Sequence, residues 1–261
     1  GGFRPFPFTG ASSNFEKWPF ASDSNATDVA DVPTGTADGA GHSSYVAGYA
    51  AGGDNGGNLQ AIQKFTFASN SNGAISGQLS QARRSVGGSH SREAGYTHGG
   101  YNPARDTIDK FNFASDGDAN ALPGTLTQAR LTSGGNGSGD FGYAVGGLTV
   151  PGVRVDIIER YPFSADAGAG DVGDLAQGRH SVSSQDSLTH GYSTGGQCAG
   201  GSTTHTISKF PFASGSTNDS DVGELSQIGA TGFGVSSFTH GYKVGGYNGG
   251  VKGDIEKFAF A

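Results

Sequence analysis

The sequence predicts an all-β fold built from repeated four-stranded units, on three observations. A Gly-Tyr pair recurs as Gly48-Tyr49, Gly95-Tyr96, Gly142-Tyr143, Gly191-Tyr192 and Gly241-Tyr242, at steps of 47, 47, 49 and 50 residues. A double glycine follows each at constant offset: Gly52-Gly53, Gly99-Gly100, Gly146-Gly147, Gly195-Gly196 and Gly245-Gly246, with Gly1-Gly2 expected as a sixth. The stretches between these markers alternate with period two, and no amphipathic helical stretch of useful length interrupts them.

Within one unit, the Gly-Tyr pair opens a short strand that the double glycine ends, because glycine permits a positive φ and close chain approach there. A loop of variable length follows, and then a basic residue leads an alternating aromatic strand. Its six copies read "KWPFAS" from Lys17, "KFTFAS" from Lys64, "KFNFAS" from Lys110, "RYPFSA" from Arg160, "KFPFAS" from Lys209 and "KFAFA" from Lys257. Alternation places Phe65 and Phe67 on one strand face and Lys64 and Thr66 on the other. Burying each ring contributes about 1.5–3 kcal/mol, so two rings per unit supply a core between units. Pro19, Pro162 and Pro211 require edge character or a skipped ladder position at that point. A turn rich in Ser, Asp, Asn and Gly comes next. The last strand closes on Val32, Leu79, Leu126, Leu175 or Leu225, and three copies continue as "LSQAR", "LTQAR" and "LAQGR" to Arg83, Arg130 and Arg179.

Composition excludes several classes. With 17 Phe and 9 Tyr the chain is too aromatic to be disordered, so its 48 glycines punctuate a packed fold. The net charge of -7, with basic residues scattered singly, argues against a nucleic-acid or anionic-membrane partner. No apolar run approaches the roughly 20 residues of a membrane-spanning helix, and a soluble chain without membrane insertion is expected. The one cysteine, Cys198, allows neither an intrachain disulfide nor a cysteine zinc cluster. A start at Gly1 without Met or signal peptide is what a processed or truncated product would show.

Strand, double glycine, loop, basic-aromatic strand, polar turn and Arg-terminated segment together resemble the kelch repeat over essentially the whole of residues 1–261. The tryptophan usual in the last kelch strand is absent, and the only one, Trp18, lies in the third strand instead. The resemblance implies a single kelch-like β-propeller domain, with four-stranded blades lettered A to D outward from a central channel. Five blades are expected, with six as the alternative. Six copies of strand C but five of A, B and D imply that N-terminal C and D strands complete the last blade. One strand C is then spare: the segment around "FEKWPF", the C-terminal "IEKFAF", or a strand offered to a neighbouring molecule. The wording "KFPFAS", "TDVGDL" and "HGY" is similar to kelch-like repeat proteins of marine phages and bacteria, which implies an extracellular or virion-associated protein.

Chemical sites fare poorly against plainer readings. No double glycine is followed by the Lys and helix that a phosphate loop needs. His190 and His240 precede Gly-Tyr where other repeats have Ala47, Ala94 and Phe141, so they read as turn histidines. "SDGDANAL" from Ser115 lacks the Gly and the final acid of a calcium loop. Cys198 lacks the partners of the copper site known on kelch-type oxidases. No cofactor, metal or catalytic residue is expected, and an enzyme is the remotest reading. Asn25, Asn136 and Asn218 fit the N-x-Ser/Thr acceptor pattern.

The B–C loops, by contrast, differ in length and chemistry on a constant frame, as in "YNPARDT", "QCAGGSTTHT" and "YNGGVKGD". Specificity is encoded where a scaffold varies. Tyr101, Asn102, Arg105, Tyr247 and Asn248 are the candidate ligand-binding residues, suited to stack on and hydrogen-bond to a sugar or peptide; surface drift is the plain alternative for each. Two functions are expected in turn. One is a non-enzymatic recognition module for a cell-surface glycan or protein. The other is a structural subunit of a virion or filament that assembles with copies of itself through an unpaired terminal strand.

Overall fold

The computed structural model describes residues 2–4, 11–213 and 218–260. Gly1, residues 5–10, residues 214–217 and Ala261, on which parts of the expected first B–C loop and last C–D turn fall, lie outside the described residues. The fold is the expected all-β propeller ring, and the described residues contain no α-helix.

An N-terminal sheet comprises β1 (Gly2–Arg4), β2 (Ser12–Trp18) and β3 (Thr27–Thr36). The first blade is β4 (Ala40–Ser43), β5 (Ala47–Ala51), β6 (Ala61–Thr66) and β7 (Ala74–Gln78). The second is β8 (Gly87–His90), β9 (Ala94–His98), β10 (Arg105–Asn112) and β11 (Asn120–Arg130). The third is β12 (Gly134–Gly137), β13 (Phe141–Val145), β14 (Ile157–Pro162) and β15 (Gly170–Asp174). Next, the two-residue β16 (Arg179–His180) leads into the fourth blade, whose A and B strands are β17 (Ser183–Asp186) and β18 (His190–Thr194). β19 (Gln197–Cys198) pairs back on β16, and β20 (Thr206–Pro211) and β21 (Ser220–Glu224) finish that blade. The fifth blade is β22 (Phe233–Ser236), β23 (His240–Tyr247) and β24 (Val251–Ala259). Five inner strands thus open five blades, and they touch in sequence from β4 through β8, β12 and β17 to β22, which also touches β1 of the N-terminal sheet.

Closure differs from expectation in one respect. β2 and β3 do not join the last blade: β2 pairs with β1 and β3, while β24 pairs with β23. The N-terminal sheet has its own strand B because Gly2 and Phe3 face Trp18 and Lys17 in the register that Gly48 and Tyr49 hold against Phe65 and Lys64. Gly2 therefore takes the place of the glycine in Gly-Tyr, not that of a double glycine. The sheet stands between the fifth blade and the first, with Trp18 and Phe20 against Tyr242 on one side and Phe15 stacked on Phe65 on the other.

The repeated residues explain themselves at the joints between blades. Each strand-B tyrosine stacks on the second aromatic of the next strand C: Tyr49 on Phe113 at 4.8 Å, Tyr96 on Phe163 at 4.6 Å and Tyr143 on Phe212 at 5.0 Å between centroids. Such pairs add about 0.5–1.5 kcal/mol each beyond burial. The glycine before the tyrosine leaves room for the first aromatic, since a Cβ on Gly95 would lie 2.4 Å from Cζ of Phe111. The basic residue of strand C reaches the next C–D turn, as in Lys64–Asp116, Lys110–Asp166 and Lys257–Asp23. Pro162 and Pro211 end their strands beyond the last pair with strand D, so no ladder bond is lost.

Strand alternation sets the residue before the strand-C cation on the opposite face from it, toward the previous blade, beside a bulge in strand D. There Asp109 meets Arg83 at 3.1 Å and Glu159 meets Arg130 at 3.1 Å, all four side chains 0% exposed. The joint before them is neutral: Gln63 bonds both backbone groups of Thr34, and Thr36 stands where the others have Arg. The next has Ser208 against Arg179 at 2.7 Å, with Asp219 nearby as the acid. At the last, Gly229 replaces Arg and the buried Lys243 extends alongside it, near Glu256.

Candidate functional site

Antiparallel order places the A–B and C–D turns on one face and the B–C loops and D–A connections on the other. The second face carries the variable residues. On it, the double glycines have φ of 66° and 112° at Gly52 and Gly53, and near those values in the other blades. A Cβ on Gly53 would lie 2.5 Å from the Ala37 carbonyl, while its N–H donates at 2.9 Å to the carbonyl of Arg83, in the tail that follows strand D of its own blade. The glycines therefore let the chain pass between the two D–A connections that flank its blade, and the residue after them is delivered to the inner end of the blade.

That residue bridges the start of its own blade: Asp54 to Ala37, Tyr101 to Arg84, Leu148 to Leu131, Gln197 to His180 and Tyr247 to Ala230. Immediately after the second member comes a non-glycine residue in left-handed conformation: Asp38, Ser85, Thr132, Ser181 or Thr231, with φ of 54–59°. Their backbones form one directional chain. Ser85 donates to the Asp38 carbonyl at 2.8 Å, Thr132 to Ser85 at 2.7 Å, Ser181 to Thr132 at 2.8 Å and Thr231 to Ser181 at 2.9 Å. Each inter-blade bond helps hold a conformation that costs about 1 kcal/mol or more for an L-residue. Four of these five residues carry hydroxyls and one a carboxyl, and Thr132 and Thr231 turn theirs to the carbonyls of Leu131 and Ala230. Burial pushes the Asp38 carboxyl up, opposed by Arg84 and assisted by Asp54.

Two polar clusters stand on this rim. Arg84 binds Asp54 at 2.6 Å, and its guanidinium carbon lies 5.6 Å from the centre of the Tyr101 ring. Across the rim, Arg154 and His180 converge on Oε1 of Gln197 at 3.2 and 3.0 Å. Burial lowers the His180 pKa, so near neutral pH it meets the amide oxygen as a neutral Nε2–H donor. A braced guanidinium over an aromatic ring, beside hydroxyls and amides, can stack on a sugar or planar side chain and hydrogen-bond around its edge.

The predicted residues fall in two groups on different blades. Tyr101 joins the Arg84–Asp54 cluster, and Asn102 is exposed beyond it. Arg105 is part-buried at the start of β10, its backbone paired with Arg130 and its charge acting on Arg83. Tyr247 is 42% exposed at the end of β23, and Asn248 Oδ1 faces the Thr203 hydroxyl at 3.5 Å. Arg84, Asp54 and the hydroxyl belt were not singled out from sequence. Their signal is a constant offset after the strand-D tail, carried by unlike residues.

His190 and His240 sit at A–B turns with Nδ1 2.8 Å from Thr189 and Thr239. Asn136 is fully buried, its amide spent on Gln185, Asp186 and Tyr192, so it is closed to glycosylation. Cys198 is buried at the base of its loop. The described residues contain no cluster of three or more His, Cys, Asp or Glu side chains placed to hold a metal.

The opposite face holds a cleft of about 460 Å³ lined by Phe20, Asp186, Ser187, Leu188, Ser236, Ser237 and Phe238. Leu188 and Phe238 project from A–B turns at 84% and 89% exposure, and burial pushes Asp186 up to about 7.

Blades, channel and loop face define a β-propeller. No family model matches the sequence, and no curated protein matches it either.

Proposed function

We propose that this propeller is a non-enzymatic recognition module of kelch-like type, extracellular or virion-associated as in a phage appendage, which binds a cell-surface glycan or protein through its B–C loop face. The observation that carries it is the contrast between framework and rim. Every blade delivers one residue to its inner end by the same double-glycine route, yet those residues are Asp54, Tyr101, Leu148, Gln197 and Tyr247. Constant delivery of varied side chains suits a surface selected for what it touches. Tyr247, the half-buried Tyr101, Asn102 and Asn248 supply the rings and amides; Arg105 supports the strand beneath. The test is binding to arrayed surface polysaccharides and to envelope proteins. Replacing the B–C loops by Gly-Ser should abolish binding, and Arg84→Ala should weaken it at least 10-fold. Equal binding by the loop-replaced protein would overturn the proposal.

A second reading is favoured by β24. Strand C pairs with strand D in every other sheet, but the outer edge of β24 carries no partner among the described residues. An open edge is a template for another chain, which supports a structural subunit that assembles through its terminal strand. Deleting residues 255–261 should then abolish assembly.

A further inference from the structure

We propose that the outer edge of β24 is an acceptor site for one extended polypeptide segment of strand-D type, with an aliphatic residue or Ser, then Gly, a polar residue, Leu and, four residues later, Arg. It deepens the assembly reading, on which it rests only for where such a segment comes from.

The register is already set. Val244, Lys243 and Tyr242 face Ile255, Glu256 and Lys257, as Thr194, Ser193 and Tyr192 face Ile207, Ser208 and Lys209 in the fourth blade. On the far side of the fourth blade, Ile207, Ser208 and Lys209 face Gly223, Asp221 and Ser220 of β21. The first blade repeats this, with Ile62, Gln63 and Lys64 against Gly77, Ile75 and Ala74 of β7. A segment on β24 therefore sets its glycine against Ile255.

Side chains point the same way. Ile62, Ile108 and Ile158 are 0% exposed and Ile207 5%, whereas the equivalent Ile255 is only partly buried. In the fourth blade, Leu225 from just beyond strand D packs with Ile207 and Tyr192; the cluster of Trp18, Tyr242, Val244 and Ile255 has no such leucine. The pattern of the occupant is written twice in the chain, as Ser76-Gly77-Gln78-Leu79 with Arg83 and Val172-Gly173-Asp174-Leu175 with Arg179, and Pro123-Gly124-Thr125-Leu126 with Arg130 departs from it only at the first residue. Its arginine would come to the joint where Glu16, the residue before Lys17, stands in the place of Asp109 and Glu159.

The probe is a synthetic peptide copying Asn72 to Arg83, added to the intact protein. The sole tryptophan, Trp18, lies in the cluster the peptide's leucine would enter, so its emission reports binding directly. The expected result is a saturable change in Trp18 emission and a raised Tm, with at least 10-fold weaker binding for the peptide carrying Leu79→Asp. Ile255→Asp in the protein should have the same effect; the peptide variant keeps the test open if that protein does not fold. No saturable binding, or equal binding by a scrambled peptide, overturns the proposal. So does a dimer formed by β24 against β24, which would make another strand C the occupant. Peptide binding by a protein that remains monomeric at high concentration upholds the acceptor site and defeats the assembly reading alone.

Discussion

Asp109→Ala tests the account of the blade joints most directly. In the folded protein Asp109 accepts from the Ser80 N–H at 2.9 Å and the Ser80 hydroxyl at 2.6 Å, and it neutralises Arg83 at 3.1 Å with both side chains 0% exposed. Arg83 otherwise donates to the Thr97 carbonyl, while its Nε and Nη1 lack hydrogen-bond partners. Removing the carboxylate strands a buried guanidinium, which costs about 3–5 kcal/mol. Against a total of about 5–15 kcal/mol that is a large share, and it lowers Tm by roughly 10 °C or more. Urea unfolding followed by Trp18 emission and by circular dichroism measures it. The chain also contains its own control, because the joint at Thr36 and Gln63 is buried without charge. The double variant Arg83→Thr with Asp109→Gln should recover most of the loss. A single-variant loss below about 1 kcal/mol, or a double variant no better than the single, would refute stabilisation by charge compensation.

Gly95→Ala should cost about 1–3 kcal/mol by crowding Phe111, whereas Gly48→Ala, whose Cβ meets Phe67 at 3.2 Å, should cost less; paired urea midpoints compare them. Thr132→Asn should stabilise by a few tenths to about 1 kcal/mol in thermal unfolding, since asparagine tolerates the left-handed conformation better than a β-branched residue. Burial draws His42 and His98 down to about 3 and His90 to about 4, so below about pH 6.5 the unfolded chain takes up protons first. Their contribution is complete above that pH and falls as pH drops toward 3. Asp186 acts oppositely: the folded state keeps a proton that the unfolded chain releases near pH 4, so its contribution is lost as pH rises through about 7. Asp186→Asn should therefore flatten the decline in urea midpoint between pH 5 and pH 8 and leave the acid limb in place.

The repeat was legible because its glycines and aromatics act locally. Gly95 faces Phe111 within one blade, and both recur at fixed spacing, so period and strand order follow from sequence alone. The joints were less so. Arg83 and the residue before Lys110 are both visible in the repeat, but their meeting depends on how two blades pack. Closure was misread for a related reason: Gly2-Phe3 replaces tyrosine by phenylalanine, and only its pairing with Trp18 and Lys17 identifies a strand B. At the rim, Tyr101 and Tyr247 stood out as loop aromatics. Arg84, which caps Tyr101, is hidden at the end of "LSQARR", and the belt of Asp38, Ser85, Thr132, Ser181 and Thr231 hides because positive φ is ordinarily signalled by glycine or asparagine.

The unlike chemistry of the five joints gives the blades an order. Blades this similar in sequence are prone to dock out of sequence during folding, since any tyrosine can stack on any strand-C phenylalanine. A second blade docked on the N-terminal sheet would bury Asp109 beside Thr36 without a cation, and a first blade docked on the second would leave Arg130 facing Gln63. Each error carries the cost of an unpaired buried charge. The joints thus work as keyed couplings: the aromatic stacks supply adhesion common to all blades, and the pairs Gln63 with Thr34, Asp109 with Arg83, Glu159 with Arg130 and Ser208 with Arg179 decide which neighbour each blade accepts.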